Sequence, residues 1–177
     1  ASLNFNAVVI RIRPGKKIGH SPVIQLRPET DHIKIVNRAT TTRRGRERLK
    51  LRARAHEDGT QITLSGTIPH RHPGLTVRRR IDNPSAFLGA AIKLFLGRAG
   101  IQFEGSIRRG KAPKKRRRLA RLFSRNLAQI IQTVNKTSNN FMAGHLVLTL
   151  GARKGTGGNW VSGTKVVGDY LTKTWGL

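Results

Sequence analysis

The stretch LAQIIQTVNKTSNNFMAGHLVLTLG, residues 127–151, decides the fold of the second half of the chain. In its first part, apolar residues recur at the i, i+3, i+4, i+7 spacing of one helix face, at Leu127, Ile130, Ile131 and Val134. After a short polar link, a second amphipathic run places its side chains on adjacent helical rows, at Phe141, Met142, His145, Leu146 and Thr149. The sequence therefore predicts two helices joined by Ser138-Asn139-Asn140.

This polar link allows two interpretations. Serine and asparagine are favoured N-caps, so Ser138 or Asn139 can cap the second helix. A serine and an asparagine two positions apart can also belong to a catalytic site, as Ser138-x-Asn140. That motif is weak, because it also occurs at 2–4 and 124–126. The residues alone favour the cap and leave the catalytic interpretation open.

Further helices and strands are predicted on both sides of this stretch. The glycine-rich segment GARKGTGGN (151–159) ends the second helix, and residues 160–177 predict a third that ends near Gly176. Far upstream, alternating apolar and polar residues predict strands in NFNAVVIRIR (4–13), VIQLRP (23–28) and HIKIVNRAT (32–40). A hairpin is predicted over 48–69, with EDG as its turn and a solvated basic face at Lys50, Arg52 and Arg54.

A well-delimited helix is predicted in IDNPSAFLGAAIKLFLGRAG (81–100). Asn83 is suited to cap it, Pro84 fits its first turn, and Gly100 fits its end. Its buried stripe is expected at Phe87, Ala90, Ala91, Leu94 and Phe95. A return strand is predicted in IQFEGSIRR (101–109), followed by a basic linker, GKAPKKRRRLAR (110–121). The predicted class is α+β, with a mainly β part (1–113) before an all-helical part (114–177).

The chain is very basic. Its 177 residues include 35 Lys and Arg against 8 Asp and Glu, a net charge of +27. This charge favours polyanionic partners, such as nucleic acid or an acidic envelope polymer. The aromatic content of 5% and the lack of aromatics in the basic runs speak against base stacking. There is no cysteine, so thiolate metal sites and disulfides are excluded, and we expect neither a metal nor a transmembrane segment.

Two other motifs have structural explanations. Ser162-Gly163-Thr164-Lys165 matches the S-x-x-K pattern of serine acyl-enzymes, but a capping Ser162 and a solvated Lys165 are the favoured interpretation. In PHRHPG (69–74), His70 and His72 could both bind a metal, but no third ligand stands at a telling spacing. A polar turn between two prolines is the favoured interpretation.

Several segments, in order, resemble the D-alanyl-D-alanine carboxypeptidase/endopeptidase family, the class C low-molecular-mass penicillin-binding proteins. They are the 127–152 stretch, the W-V-S-G…V-V-G-D-Y-L segment (160–171), and LTVRRRIDNPSAFLGAAIKLFLGRAGIQFEGSIRRG (75–110). The opening strand is also similar. The resemblance implies a β-rich inserted accessory domain followed by helices of a β-lactamase/transpeptidase-like domain. It places the protein in the periplasm or cell envelope as an exported hydrolase.

The resemblance also implies roles for three residues. In this family an S-x-x-K serine attacks the penultimate D-Ala carbonyl of a peptidoglycan stem peptide, and water resolves the acyl-enzyme without a cofactor. Ser138 would relay a proton near the leaving group, and Asn140 would hydrogen-bond the substrate amide. Lys136 would add positive potential toward the terminal carboxylate. β-Lactams would acylate the whole enzyme.

One of the family's three motifs is in place. S-x-x-K is expected upstream of S-x-N and K-T-G downstream, so Ser162-x-x-Lys165 stands in the wrong order. We therefore expect the chain to be an internal segment that begins after the nucleophile and forms no acyl-enzyme alone. The alternative is a non-catalytic basic protein that binds nucleic acid or an acidic envelope polymer.

Overall fold

A computed structural model describes residues 2–57, 59–110, 114–115, 117–118 and 120–176. The chain forms two compact units, Ala1–Ala112 and Pro113–Leu177. The described part of the first contains β1 (Ala7–Arg13), β2 (Val23–Arg27), β3 (Ile33–Thr42), β4 (Arg48–His56), β5 (Gly59–Pro69), β6 (Leu75–Arg80) and α1 (Pro84–Arg98). The described part of the second unit contains α2 (Leu127–Thr137), α3 (Asn140–Lys154) and α4 (Trp160–Trp175). The predicted α+β class, with strands before helices, is confirmed.

The described strands of the first unit form two sheets. One has the order β2-β1-β6, and all its pairs are antiparallel. The other has the order β3-β5-β4, in which β5 pairs antiparallel with β4 and parallel with β3. The β4–β5 pair is the predicted hairpin, although Asp58 of its turn lies outside the described residues.

One hydrophobic core lies against both sheets and α1. Val8, Ile10 and Ile12 alternate along β1 and are fully buried, as period-two patterning requires. Ile62 and Leu64 of β5 and Phe87 of α1 join the same cluster. Burial of each such side chain stabilises the fold by about 2 kcal/mol.

Helix α1 begins where the sequence predicts. Asn83 Oδ1 accepts a hydrogen bond from Ala86 N at 3.3 Å, and Pro84 is the first helical residue. Phe87 and Ala91 are buried, but the prediction that Phe95 is buried is wrong, because its side chain is 52% exposed. Phe95 lies in the solvent-facing last turn, where the Arg98 guanidinium is 5.9 Å from the centre of its ring.

Two strand predictions around α1 differ from the structure. The return strand predicted at 101–109 is wrong, since these residues form no strand. Gly105 has φ +99° and interrupts an extended path, and Ile107 packs onto Gly89 of α1 instead of joining a sheet. Conversely, β6 was not predicted, because its run of three arginines hides the alternation of Leu75 and Val77.

In the second unit, α2 begins at Leu127, and Leu122 before it is 97% exposed. Asn126 fixes this start, because its Oδ1 accepts from Gln129 N at 2.9 Å. The basic linker predicted before it is only partly described; Lys111, Ala112, Pro113, Arg116 and Leu119 lie outside. Where it is described, the linker forms neither helix nor strand. None of the helices described here is both long and apolar enough to cross a bilayer.

Candidate active site

The junction between α2 and α3 contains all three residues that the resemblance assigns to a site. Helix α2 ends at Thr137, and Ser138 turns the chain with φ 48° and ψ 45°, in the left-handed region. The N–H of Ser138 still donates to Val134 O, and Asn139 N donates to the same oxygen at 3.2 Å. This geometry is a left-handed helix C-cap, a position that usually belongs to glycine.

A serine is an unusual residue for this conformation. Residues other than glycine with positive φ are uncommon, and serine has neither glycine's freedom nor the tolerance of asparagine. Such local strain tends to be retained where the side chain has a functional role. The backbone at Ser138 is therefore an independent reason to treat this link as a candidate site.

The helix cap is provided by Asn139. Its Oδ1 accepts from Met142 N at 3.0 Å, and its carbonyl oxygen accepts from Ala143 N at 3.0 Å. The side chains of Ser138 and Asn140 on either side are exposed. The two interpretations of the link are thus divided between neighbouring residues: Asn139 caps α3, while Ser138 and Asn140 present their polar groups to solvent.

Lys136 lies in the last turn of α2, two residues before Ser138, and is exposed. Its charge is favourable at a helix C-terminus, while the adjacent N-terminus of α3 contributes a positive dipole end. The negative dipole end of α2 and the positive dipole end of α3 meet at this link, so the net positive charge of the junction comes from Lys136. An electropositive, exposed junction that carries a hydroxyl and an amide is suited to a ligand with a carboxylate and a peptide group.

Helix α3 is held by unusually close packing on α4. A Cβ atom on Gly151 would lie 2.8 Å from Gly163 N and 3.1 Å from Gly163 Cα. A Cβ on Gly163 would in turn meet the carbonyl oxygen of Val147. No sequence pattern indicates this contact, because two glycines on different helices produce no periodic signal. It fixes the helix on which Asn140 stands.

We predict that Gly163→Ala destabilises the second unit. Its Cβ would be forced against the Val147 backbone, and overpacking of this kind costs about 1–3 kcal/mol. The matched control is Gly168→Ala on the same helix, where a Cβ meets open space and helix propensity gains about 1 kcal/mol. Urea unfolding of the two variants and wild type measures both changes; equal stability of the two variants would contradict the close contact.

The second serine motif is not arranged for catalysis. Ser162 is 5% exposed, and its Oγ accepts from Thr156 N at 2.8 Å and Gly157 N at 3.2 Å. The ammonium group of Lys165 lies 3.0 Å from Asp169 Oδ1 in an exposed ion pair. The hydroxyl therefore holds the loop before α4. The interpretation of Ser162-x-x-Lys165 as a coincidental match is supported.

The two histidines of the PHRHPG turn also have local roles. His72 Nδ1 accepts from Gly74 N at 3.1 Å, and the backbone N–H of His70 donates to Thr42 O at 2.8 Å. Across the described ranges, no group of three His, Cys, Asp or Glu side chains is placed to hold a metal ion. These contacts order a turn at the end of β5.

Solved structures show the same fold in a larger protein. One match is penicillin binding protein 4 from Haemophilus influenzae in complex with a β-lactam, with a TM-score of 0.71 and 19% identity; it covers 98% of this chain and 40% of that one. A second structure of that protein gives 0.74 and 18%, covering 99% of this chain and 39% of that one. The chain thus spans about 40% of the length of these solved relatives.

No curated protein matches the sequence significantly. By contrast, the model of one protein family matches the chain over residues 1–177. This match confirms the resemblance derived from the ordered segments around Ser138. The chain belongs to the D-Ala-D-Ala carboxypeptidase 3 (S13) family.

Proposed function

We propose that this chain is the S-x-N segment of a serine D-Ala-D-Ala carboxypeptidase/endopeptidase that cleaves peptidoglycan stem peptides through an acyl-enzyme. The observation that carries the proposal is the α2–α3 junction. There Ser138 is exposed in a strained left-handed conformation, while Asn139 supplies the capping hydrogen bond of α3. Membership of the S13 family supports the reaction class.

In the proposed mechanism, each exposed group at the junction has one role. Ser138 relays to the amine of the departing D-Ala the proton that the attacking serine gives up: its hydroxyl donates one proton to that nitrogen and accepts the other in its place. The Asn140 side-chain amide hydrogen-bonds the substrate's peptide group and orients the scissile carbonyl. Lys136 attracts the terminal carboxylate through its charge, and nothing in this chemistry requires a cofactor.

The nucleophile is proposed to come from another part of a longer protein. Ser162 is committed to the loop before α4, and Lys165 to Asp169. The relatives that match the fold are more than twice as long as this chain. Large apolar side chains on α4, including Trp160 (57% exposed) and Trp175 (71% exposed), provide a surface against which further parts of a catalytic domain would pack.

We place the working enzyme in the periplasm or cell envelope, where peptidoglycan is assembled and trimmed. Its partners would be stem peptides that end in D-Ala-D-Ala, and β-lactams as acylating inhibitors. The β-lactam named with the Haemophilus influenzae structure supports the second expectation.

The 177-residue chain by itself is expected to form no covalent adduct with labelled penicillin. The physical reason is that its buried Ser162 hydroxyl has no adjacent base, since Lys165 is paired with Asp169. Intact-mass measurement after incubation checks this, with a longer protein that carries an upstream S-x-x-K as the positive control. An adduct on Ser162 would overturn our assignment of both serine motifs.

The function itself is tested with the longer protein. Incubated with a peptide that ends in D-Ala-D-Ala, it is expected to release the terminal D-Ala, and penicillin should stop the release in proportion to acylation. A matching peptide that ends in L-Ala-L-Ala is the control. Acylation by penicillin without any peptide hydrolysis would leave a penicillin-binding fold that lacks peptidase activity.

A further inference from the structure

The outer face of the β3-β5-β4 sheet carries a row of positive charge along each edge. On β4 the cations alternate at Arg48, Lys50, Arg52 and Arg54, and all four are exposed. On β3, Lys34 and Arg38 are exposed on the same face, with the half-buried Val36 between them. We call these six residues the cationic track. The opposite face of the sheet points to the core through Ile62 and Leu64.

The strand register shows how these rows face each other. Lys50 and Arg38 both pair with Ser65 of β5, and Arg54 and Lys34 both pair with Gln61. Between the cationic rows, β5 therefore presents a half-buried polar strip that includes Thr63 and Ser65. Adjacent strands are about 4.8 Å apart, so the rows are separated by about 10 Å. The result is a polar floor with positive charge on both sides.

The charged side chains of β3 and β4 are all positive. Between positions 34 and 54 the single acidic residue is Glu47, and its Oε1 accepts from Leu49 N at 2.8 Å. The connection from β3 to β4 adds Arg43, Arg44 and Arg46 at one end of the track. Protection of sheet edges from aggregation needs charge of either sign. It does not explain why every charged side chain within β3 and β4 is positive, while acidic residues such as Asp31, Glu47 and Glu57 stand beyond the strand ends.

The spacing of the track fits a linear polyphosphodiester. Same-face residues on a strand are about 6.7 Å apart. A phosphodiester repeat with three carbons between phosphates contains six backbone bonds, as many as two peptide residues, and extends about 7 Å. Successive phosphates of such a polymer would lie beside successive cations of β4, while the hydroxyls of β5 donate to their oxygens.

We propose that the cationic track binds a linear polyol phosphate that carries no bases, as a surface separate from the α2–α3 junction. This face carries no Phe, Tyr or Trp, the side chains on which successive bases of a single strand usually stack, and its ring is that of His56 at the end of β4. The proposal does not depend on the peptidase function.

The test compares two variants of equal net charge. Lys50→Gln/Arg52→Gln/Arg54→Gln removes three cations from the track, and Lys115→Gln/Arg117→Gln/Arg118→Gln removes three exposed cations from the second unit. The probe is end-labelled poly(glycerol phosphate), with binding followed by fluorescence anisotropy at several salt concentrations. The track variant is expected to bind at least about tenfold more weakly and to lower the salt slope by about 2, since each lost phosphate contact lowers it by about 0.7. The control is expected to stay near wild type.

Two outcomes would overturn the proposal. An equal loss of affinity for poly(glycerol phosphate) in both triple variants would show that binding depends on total charge and not on the track. Tighter binding of single-stranded DNA or of anionic vesicles than of poly(glycerol phosphate), at matched phosphate concentration, would assign the surface to another class of partner. If circular dichroism shows that the track variant is unfolded, the test uses wild type alone. Added polymer is then expected to change the NMR chemical shifts of the Thr63 and Ser65 amides, and unchanged shifts would overturn the proposal.

Discussion

Ser138→Ala in the full-length enzyme is expected to lower kcat/KM for D-Ala-D-Ala peptides by about 100-fold or more, the usual effect of removing a proton-relay group. The hydroxyl is exposed at the end of α2, and the capping bond of α3 comes from Asn139. The loss should therefore appear mainly in kcat, because binding groups remain. Steady-state kinetics with a stem-peptide substrate measure it.

The backbone at this position offers a sharp control. Ser138 has φ 48°, a conformation that glycine adopts without strain. Ser138→Gly should leave the free energy of unfolding unchanged or raise it by up to about 1 kcal/mol, while it removes the hydroxyl as completely as alanine does. If Ser138→Gly keeps full turnover, Ser138 is a helix cap and the proton-relay role is wrong.

Asn140→Ala and Asn139→Ala are expected to have opposite effects on activity and stability. Asn140 is exposed at the first position of α3, so its loss should leave stability near wild type. Loss of its hydrogen bond to the substrate should lower kcat/KM by roughly 10- to 100-fold, since a lost bond to a positioned polar group is worth about 1–3 kcal/mol. Asn139→Ala removes the 3.0 Å bond to Met142 N and should destabilise by about 1 kcal/mol.

The contrast between these neighbours is measured with one pair of assays on each variant. Thermal unfolding gives stability, and stem-peptide hydrolysis gives kcat/KM at a temperature where all variants are folded. Loss of activity in Asn139→Ala equal to that in Asn140→Ala would contradict separate roles. It would show that the junction acts as one rigid unit and that Asn140 makes no distinct substrate contact.

The elements that were predicted correctly have local signals. Asn83-Pro84 fixes the start of α1, and the alternation of Val8, Ile10 and Ile12 fixes the buried face of β1, because caps and periodicities are contained in a few adjacent residues. Segment 101–109 also alternates, yet Gly105 and the packing of Ile107 on α1 prevent a strand. Gly105 is a local signal against a strand, but the packing of Ile107 on α1 is a tertiary contact that no local pattern indicates.

The candidate site could be foreseen only as a motif. The positions of Ser138 and Asn140 followed from the order of family-like segments, but the left-handed backbone of Ser138 did not. The cationic track was also only half visible. Alternation along β4 predicted one basic row, but nothing local places Arg38 across Ser65 from Lys50, since that requires the parallel pairing of β3 with β5.

That parallel pairing also bears on the order in which the strands pair as the chain folds. Strand β3 is synthesised before β4 and β5, yet its partner in this sheet is β5, with Ile33 opposite Thr60. Until β5 emerges, the backbone of β3 must remain solvated or pair elsewhere. The β4–β5 hairpin closes over a short loop, so it can form first and provide the edge on which β3 docks. Strand β5 thus provides the edge with which β3 pairs, although β3 comes earlier in the chain. The last strand to join this sheet is therefore the first of its three in sequence.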